Sequence, residues 1–267
     1  AKYRAARRIW ARWLKERYGA KDESSMLLRF HTQTAGVSLT AQQPMNNVVR
    51  TAIEALAAVL GGTQSLHTNA LDEVLALPTE EAAKLALRTQ QIIAHETGVP
   101  DVIDPLGGSY FLETLTDRME ELAEAEFARI LAMGEGSMLE GVLTGIERGV
   151  FQQAIAESAF GEQERFERGD LVKVGVTDHV DTIDQPVEIL EISHEIEPLQ
   201  IARVREVRER RDAPAARAAL ARLGGLAATD ANLVEPLVDC ARALCTEGEI
   251  VDALRRVFGS YTETPRF

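Results

Sequence analysis

A chain of 267 residues that is 45% hydrophobic and holds 9 prolines can bury a sizeable core, as one large domain or two smaller ones. Its net charge of -13 excludes a general surface for nucleic acid or for anionic membrane, because phosphate is gripped by lysine and arginine. Neither an apolar run of about 18 residues nor an export signal is present, so no membrane span is expected and a soluble cytoplasmic protein is.

Tyr3, Ile9, Trp10, Trp13 and Leu14 stripe a first helix that Gly19 stops. A packed helix beginning at the second residue points to a chain taken from something longer. Over residues 26–34 the pattern becomes alternation, with Leu28, Phe30 and Thr32 on one strand face and Arg29, His31 and Gln33 on the other. The second face carries ligand-type chemistry. Ala35 and Gly36 end this strand, and Pro44 suits the first turn of a helix reaching Leu60, striped by Val49, Ile53, Leu56 and Leu60 and followed by Gly61. Next come a short strand over 63–66, a helix over 70–77 stopped by Pro78, a capped helix over 79–97 and a third strand over 99–103. Such alternation implies an α/β fold with parallel strands joined by right-handed crossovers, in a barrel or a doubly wound sheet. Three strands are too few to close a barrel.

After Gly107 and Gly108 the chain turns helical: Leu115, Met119, Leu122 and Ile130 stripe one segment and a second follows Ser137. Residues 161–199 are charged, are broken by Pro186 and Pro198, and read as a linker with one short strand over 171–176. The arginine-rich run over 200–211 includes Glu206 and Glu209, which makes it a solvated helix face laced with ion pairs rather than a basic patch. Cys240 and Cys245 have the spacing of neither a metal-ligand pair nor a disulfide framework and read as buried structural thiols. The last helix combines a capping box, Thr246 with Glu249, an apolar stripe of Ile250, Leu254 and Val257, and Gly259 as its stop. The expected organisation is strand-helix units over 1–112, a helical segment over 113–160, the linker over 161–199 and a helical region over 200–267.

Local chemistry leaves the candidate site residues ambiguous. His31 by spacing alone is a hydrogen-bonded structural residue before it is a ligand. Gln33 is either a buried amide stitching loops or a donor to a bound polar group. Gln64 and His67 flank Ser65 and Leu66 beside a Gly-Gly pair that permits close backbone approach, by a ligand or by a neighbouring strand. Glu73, one turn into its expected helix, is locally a charge favoured near the positive helix end. No metal site is expected, since His31 and His67 lack a partner at zinc-ligand spacing, and no serine or cysteine nucleophile motif occurs.

Longer motifs change the weighting. Residues 31–40 (His-Thr-Gln-Thr-Ala-Gly-Val-Ser-Leu-Thr), 43–50 (Gln-Pro-Met-Asn-Asn-Val-Val-Arg), 61–69 (Gly-Gly-Thr-Gln-Ser-Leu-His-Thr-Asn) and 71–73 (Leu-Asp-Glu) resemble the large subunit of cobalamin-dependent acyl-CoA mutases, the methylmalonyl-CoA mutase family. The likeness continues through 104–110 (Asp-Pro-Leu-Gly-Gly-Ser-Tyr), 245–250 (Cys-Thr-Glu-Gly-Glu-Ile) and 257–259 (Val-Phe-Gly), and so covers essentially the whole chain.

The resemblance implies the C-terminal part of a TIM (β/α)8 barrel followed by a mainly helical extension. It also implies an adenosylcobalamin-dependent radical 1,2-rearrangement of a branched acyl-CoA, an isomerase activity in which the protein positions the reactants and excludes water. By residue matching, Gln33 and Glu73 would bind the cofactor at the ribose of its adenosyl group. His31 and Gln64 would line the substrate cavity near the thioester, and Ser65 and Leu66 would contact the acyl-CoA. No catalytic residue of this chain is assigned. The family's first barrel part, with most CoA-binding residues, the groups that choose the acyl substituent and a catalytic histidine, has no counterpart in the sequence. Its cobalamin signature Asp-x-His-x-x-Gly is not met by Asp178-His179, because no glycine follows at the required place. The implied partners are therefore an N-terminal half of the large subunit and a small cobalamin-binding subunit that grips most of the cofactor, and the chain is expected to be inactive alone. Methylmalonyl-CoA mutases usually carry tryptophan where this chain has Val37, and Gln43-Pro44-Met45 leans slightly toward the isobutyryl- or 2-hydroxyisobutyryl-CoA mutases. The competing expectation is a non-catalytic split or relict subunit that stabilises a partner.

Overall fold

The computed structural model describes residues 1–181 and 186–262. These fall into two compact units, one of residues up to 190 and one of residues from 191 onward. Among the described residues, ten α-helices accompany two short strands.

In the first unit, α1 (Lys2–Arg12) runs on into a π-helical turn, Trp13–Arg17, and Gly19 at φ +67 turns the chain away. Ala5 and Ile9 of the expected stripe region are buried, while Trp10 stays partly exposed. Strand β1 (His31–Gln33) is shorter than its alternating pattern: a 3-10 turn at Glu23–Met26, capped by Asp22, ends on the first residue of that segment, and residues 27–30 join no ladder. Its faces follow the alternation: Thr32 is buried, His31 and Gln33 exposed.

Helix α2 (Asn46–Leu60) then carries the chain to β2 (Ser65–His67), which pairs with β1 in parallel. The buried side of α2 is not the expected stripe. Asn47, Thr51, Ala55 and Ala58 are buried, whereas Val49 and Ile53 are 58% and 64% exposed. Asn47 selects this face: its Oδ1 accepts from the Thr40 amide, and its Nδ2 donates to the carbonyls of Thr40 and Leu71. A buried amide that satisfies three backbone groups outweighs a few methyl groups, and Ala55 and Ala58 let the helix lie close.

Two further expectations are corrected. Residues 70–77 form turns, not a helix, because the Asp72 carboxylate accepts from the Thr79 amide and hydroxyl and closes the segment on itself. Residues 99–103 form no strand: Gly98 at φ +65 starts a 3-10 turn, Val99–Asp101, and Pro100 has no amide to give a ladder. Helix α3 (Glu80–Glu96) has its expected N-cap, with the Thr79 hydroxyl accepting from the Ala82 amide.

Helices α4 (Tyr110–Met133), α5 (Met138–Glu147) and α6 (Val150–Glu167) complete the regular part of this unit. Arg4, Arg8 and Arg12, one helical turn apart on α1, face an acidic edge of α4. Arg4 meets Glu113 at 2.7 Å, Arg8 meets Asp117 at 2.6 Å, and Arg12 meets Glu124 at 2.6 Å as well as Glu120. Helix α6 extends through the start of the expected linker, and residues 171–176 form no strand. Val174 makes only an isolated bridge to Asp178, within a turn closed by the Gly175 amide donating to the Asp178 carbonyl.

The second unit holds α7 (Ile196–Arg210), α8 (Ala213–Ala227), α9 (Val234–Arg242) and α10 (Glu247–Phe258). Helix α8 packs on α9 and α10 around Leu223, Cys240 and Ala253. Both bonds of the Thr246–Glu249 capping box form, and Gly259 at φ +75 ends the helix. The Arg211 guanidinium meets the Glu249 carboxylate through both oxygens at 2.6 Å. Cys240 is buried and Cys245 half-buried, both as free thiols, and burial pushes the Cys240 thiol upward. Among the described residues no helix is long and apolar enough to cross a membrane.

Candidate functional site

The site begins with the register of the two strands. His31 lies opposite Ser65, Thr32 opposite Leu66, and Gln33 opposite His67. Because side chains alternate along a strand, His31, Gln33, Ser65 and His67 share one face, and all four are exposed. The His31 Nδ1 and the Ser65 Oγ lie 2.7 Å apart, an imidazole-hydroxyl hydrogen bond that leaves the other ring nitrogen available.

The opposite face is packing. Thr32 is buried there, its hydroxyl donating to the Thr63 hydroxyl at 2.8 Å, and Leu66 is half-buried at the paired position. Leu66 therefore does not share the polar face with its neighbour Ser65. The Gln64 amide is engaged with backbone: its Oε1 accepts from the Phe30 amide at 2.9 Å, and its Nε2 donates to the Gly62 carbonyl at 2.8 Å. Gln64 thus stitches the end of one strand to the turn before the other.

Beyond the strand ends the Asn69 and Glu73 side chains flank Gly36, and Gln33, at the end of β1, bonds Asn69. The Gln33 Nε2 donates to the Asn69 Oδ1 at 3.3 Å. A Cβ added at Gly36 would lie 3.2 Å from the Asn69 Nδ2 and 3.4 Å from the Glu73 Oε1. The absence of a side chain there leaves room beside the exposed Glu73 carboxylate and over the buried Asn69 amide. Asn69 is 1% exposed, its backbone amide donates to the Thr34 hydroxyl at 2.9 Å, and its Nδ2 is buried without a partner among the described residues. A buried donor left unpaired costs on the order of 1–3 kcal/mol.

Glu73 stands in the 70–77 turn, so the helix-end reading of its charge falls with the helix itself. With His67, Leu87 and Gln90 it borders a cavity of about 600 Å³, while Gln33, Thr34 and Glu54 border another of about 500 Å³. The loops are held from beneath. Glu54 accepts from the Ala35 amide at 2.7 Å and from the Ser38 hydroxyl, and Arg50 donates to the Thr40 Oγ1 at 2.9 Å and the Asn47 Oδ1 at 2.8 Å.

Two carboxamides and a carboxylate suit a ligand edge of adjacent hydroxyls, which both donate and accept. The imidazole-hydroxyl pair suits a carbonyl or another polar acceptor. Asn69 is the functional candidate that pattern reading missed as a side chain. Its signal was a carboxamide just beyond the end of β2, within reach of Gln33 at the end of the neighbouring strand. Among the described residues no group of three or more His, Cys, Asp and Glu side chains could hold a metal ion.

Comparison with known proteins matches the methylmalonyl-CoA mutase family over residues 1–260. The chain is similar to the methylmalonyl-CoA mutase of Rhizobium meliloti, 44% identical over 99% of this chain and 36% of the relative. It is also 45% identical to the 2-hydroxyisobutanoyl-CoA mutase large subunit of Aquincola tertiaricarbonis, over 100% of this chain and 47% of that subunit. With the mitochondrial methylmalonyl-CoA mutase of Homo sapiens the identity is 43%, over 100% of this chain and 35% of the human protein. The chain thus spans about a third to about half the length of these curated relatives.

Proposed function

The chain belongs to the methylmalonyl-CoA mutase family, and from that premise we propose that it supplies one wall of the catalytic cavity of an adenosylcobalamin-dependent acyl-CoA mutase. The observation that carries this reading is the chain of side chains from Gln33, bonded to Asn69, to Glu73, with Asn69 and Glu73 flanking Gly36. The exposed Gln33 carboxamide, held by buried Asn69, and the exposed Glu73 carboxylate beside Gly36 fit a group with vicinal hydroxyls, and the ribose of the adenosyl moiety is such a group. Adenosylcobalamin, when bound, supplies the organic radical by which a substrate hydrogen is abstracted.

The chain's own residues do the holding. Asn69 takes the Nε2 end of Gln33, which leaves the Gln33 Oε1 available to accept from one ribose hydroxyl, and the Glu73 carboxylate accepts from another. His31, oriented by Ser65, presents its second ring nitrogen to the thioester region of the acyl-CoA. Gln64 and Leu66 contribute from behind, Gln64 by fixing the Phe30 backbone and Leu66 by filling the space under the strands.

The two strands form, in this reading, part of a TIM barrel over 1–112, with helical segments over 113–160 and 200–267 and a linker over 161–199. An N-terminal half of the large subunit completes the barrel, a small cobalamin-binding subunit grips the rest of the cofactor, and the assembly works in the cytoplasm. Reconstitution with both partners and adenosylcobalamin tests this, with several branched acyl-CoAs offered as substrates. Isomerised product is expected. An assembly shown to be intact that isomerises none of them would instead leave the chain as a stabilising, non-catalytic module.

A further inference from the structure

We infer that residues 173–179 form a positioning strap for the loop of residues 36–43 that follows β1. Three hydrogen bonds join segments far apart in sequence. The Lys173 Nζ donates to the Val37 carbonyl at 3.1 Å, the Arg50 Nη2 donates to the Val174 carbonyl at 2.8 Å, and the Gln43 Nε2 donates to the His179 carbonyl at 3.0 Å. The strap thus takes hold near both ends of the loop, at Val37 and Gln43, and at the guanidinium that braces its middle.

That guanidinium is the centre of the device. Arg50 reaches Thr40, Asn47 and Val174 together, so the arginine that fixes the loop's buried part also anchors the strap. The strap is a stiff object in its own right. The Thr177 hydroxyl accepts from the Lys173 amide at 2.7 Å, the Gly175 amide donates to the Asp178 carbonyl at 2.7 Å, and the Asp178 carboxylate accepts from the His179 amide at 2.7 Å. Gly175 is buried at φ +80, and a Cβ there would come within 2.9 Å of the Gln43 side chain. Contact this close, at a backbone angle other residues rarely adopt, marks a turn shaped to lie against its partner.

The loop so held carries Gly36, whose placement against Asn69 and Glu73 defines the ligand approach. Lys173 and its turn are therefore positioning residues, acting through the loop and not on substrate. The consequence for ligand binding rests on the mutase reading, whereas the ordering of the loop does not.

Hydrogen-deuterium exchange on the full chain tests the strap. In Lys173→Met the amides of Ser38, Leu39 and Thr40 exchange about tenfold faster, as loss of a charged donor predicts. Gly175→Val has the same effect, Lys173→Arg keeps the parent's protection, and α4 amides are unchanged in all three. Unchanged exchange at residues 38–40 in both disrupting variants overturns the strap, as does equal acceleration in α4. Adenosylcobalamin titrated into the parent chain assembled with its partner chains is scored separately. If it fails to bind while the loop is protected, the cofactor reading falls and the strap does not.

Discussion

The Gln33 Nε2 donates to the Asn69 Oδ1 across 3.3 Å, joining the end of one strand to the loop after its parallel neighbour. A carboxamide has two ends with opposite roles, so this bond leaves the Gln33 Oε1 as the end free to accept. Asn69 is rigid because it is buried and tied through its backbone to Thr34, and the exposed Gln33 inherits that rigidity.

Asn69→Ala removes the orienting partner and also a buried amide with one unpaired donor. The two effects oppose each other in stability. We expect a loss of about 1 kcal/mol, measured by urea denaturation, alongside a fall of about tenfold in affinity for adenosylcobalamin in the reconstituted assembly. A variant that loses stability but keeps its full affinity would reduce Asn69 to packing.

Much of this arrangement is legible in the amino-acid sequence. Period-two alternation through Thr32, with Gly36 and Pro44 as punctuation, locates β1 and the helix after it, and the Thr79 and Thr246 caps locate the starts of α3 and α10. What escaped pattern reading has a common cause: polar side chains competing with periodicity. Asn47 turns α2 onto a face that its aliphatic spacing does not favour, and Asp72 closes a loop where apolar residues suggest a helix. Pro100 denies the third segment its ladder. The grip of Lys173 on the Val37 carbonyl leaves no sequence trace, since a backbone acceptor is the same for every residue.

Acid should weaken the two units through different pairs. The hydrogen bond from Arg4, then that from the Gly108 amide, lowers the Glu113 carboxyl from its ordinary 4.5 to about 2. Arg211, with help from Thr246, lowers Glu249 from 4.5 to about 2. A depressed carboxyl stabilises the folded state fully above its unfolded pKa, and that contribution fades as pH falls toward the folded one. Thermal midpoints should therefore decline as pH drops from about 4.5 to about 2. Glu113→Gln should flatten that decline for the first unit and Glu249→Gln for the second. Parallel acid limbs in parent and variants would remove these pairs as its cause.

Gly141 tests the seat of α5 on α4. A Cβ there would lie 2.0 Å from the Ile130 carbonyl oxygen, and a backbone oxygen cannot swing aside as a side chain can. Gly141→Ala is expected to cost about 3 kcal/mol in chemical denaturation. Gly248, with open space around it, provides the control: Gly248→Ala should shift stability by no more than about 0.5 kcal/mol.

The most direct measurement is adenosylcobalamin affinity and turnover of the reconstituted assembly carrying Glu73→Gln. Glu73 is exposed and stands outside any helix, so unfolding of the variant should stay within about 0.5 kcal/mol of the parent. With folding held constant, a fall of about tenfold or more in cofactor affinity, with turnover lost in step, is the predicted result. Parent-like affinity and turnover would contradict the assignment of Gln33, Asn69 and Glu73 as a ribose-holding wall.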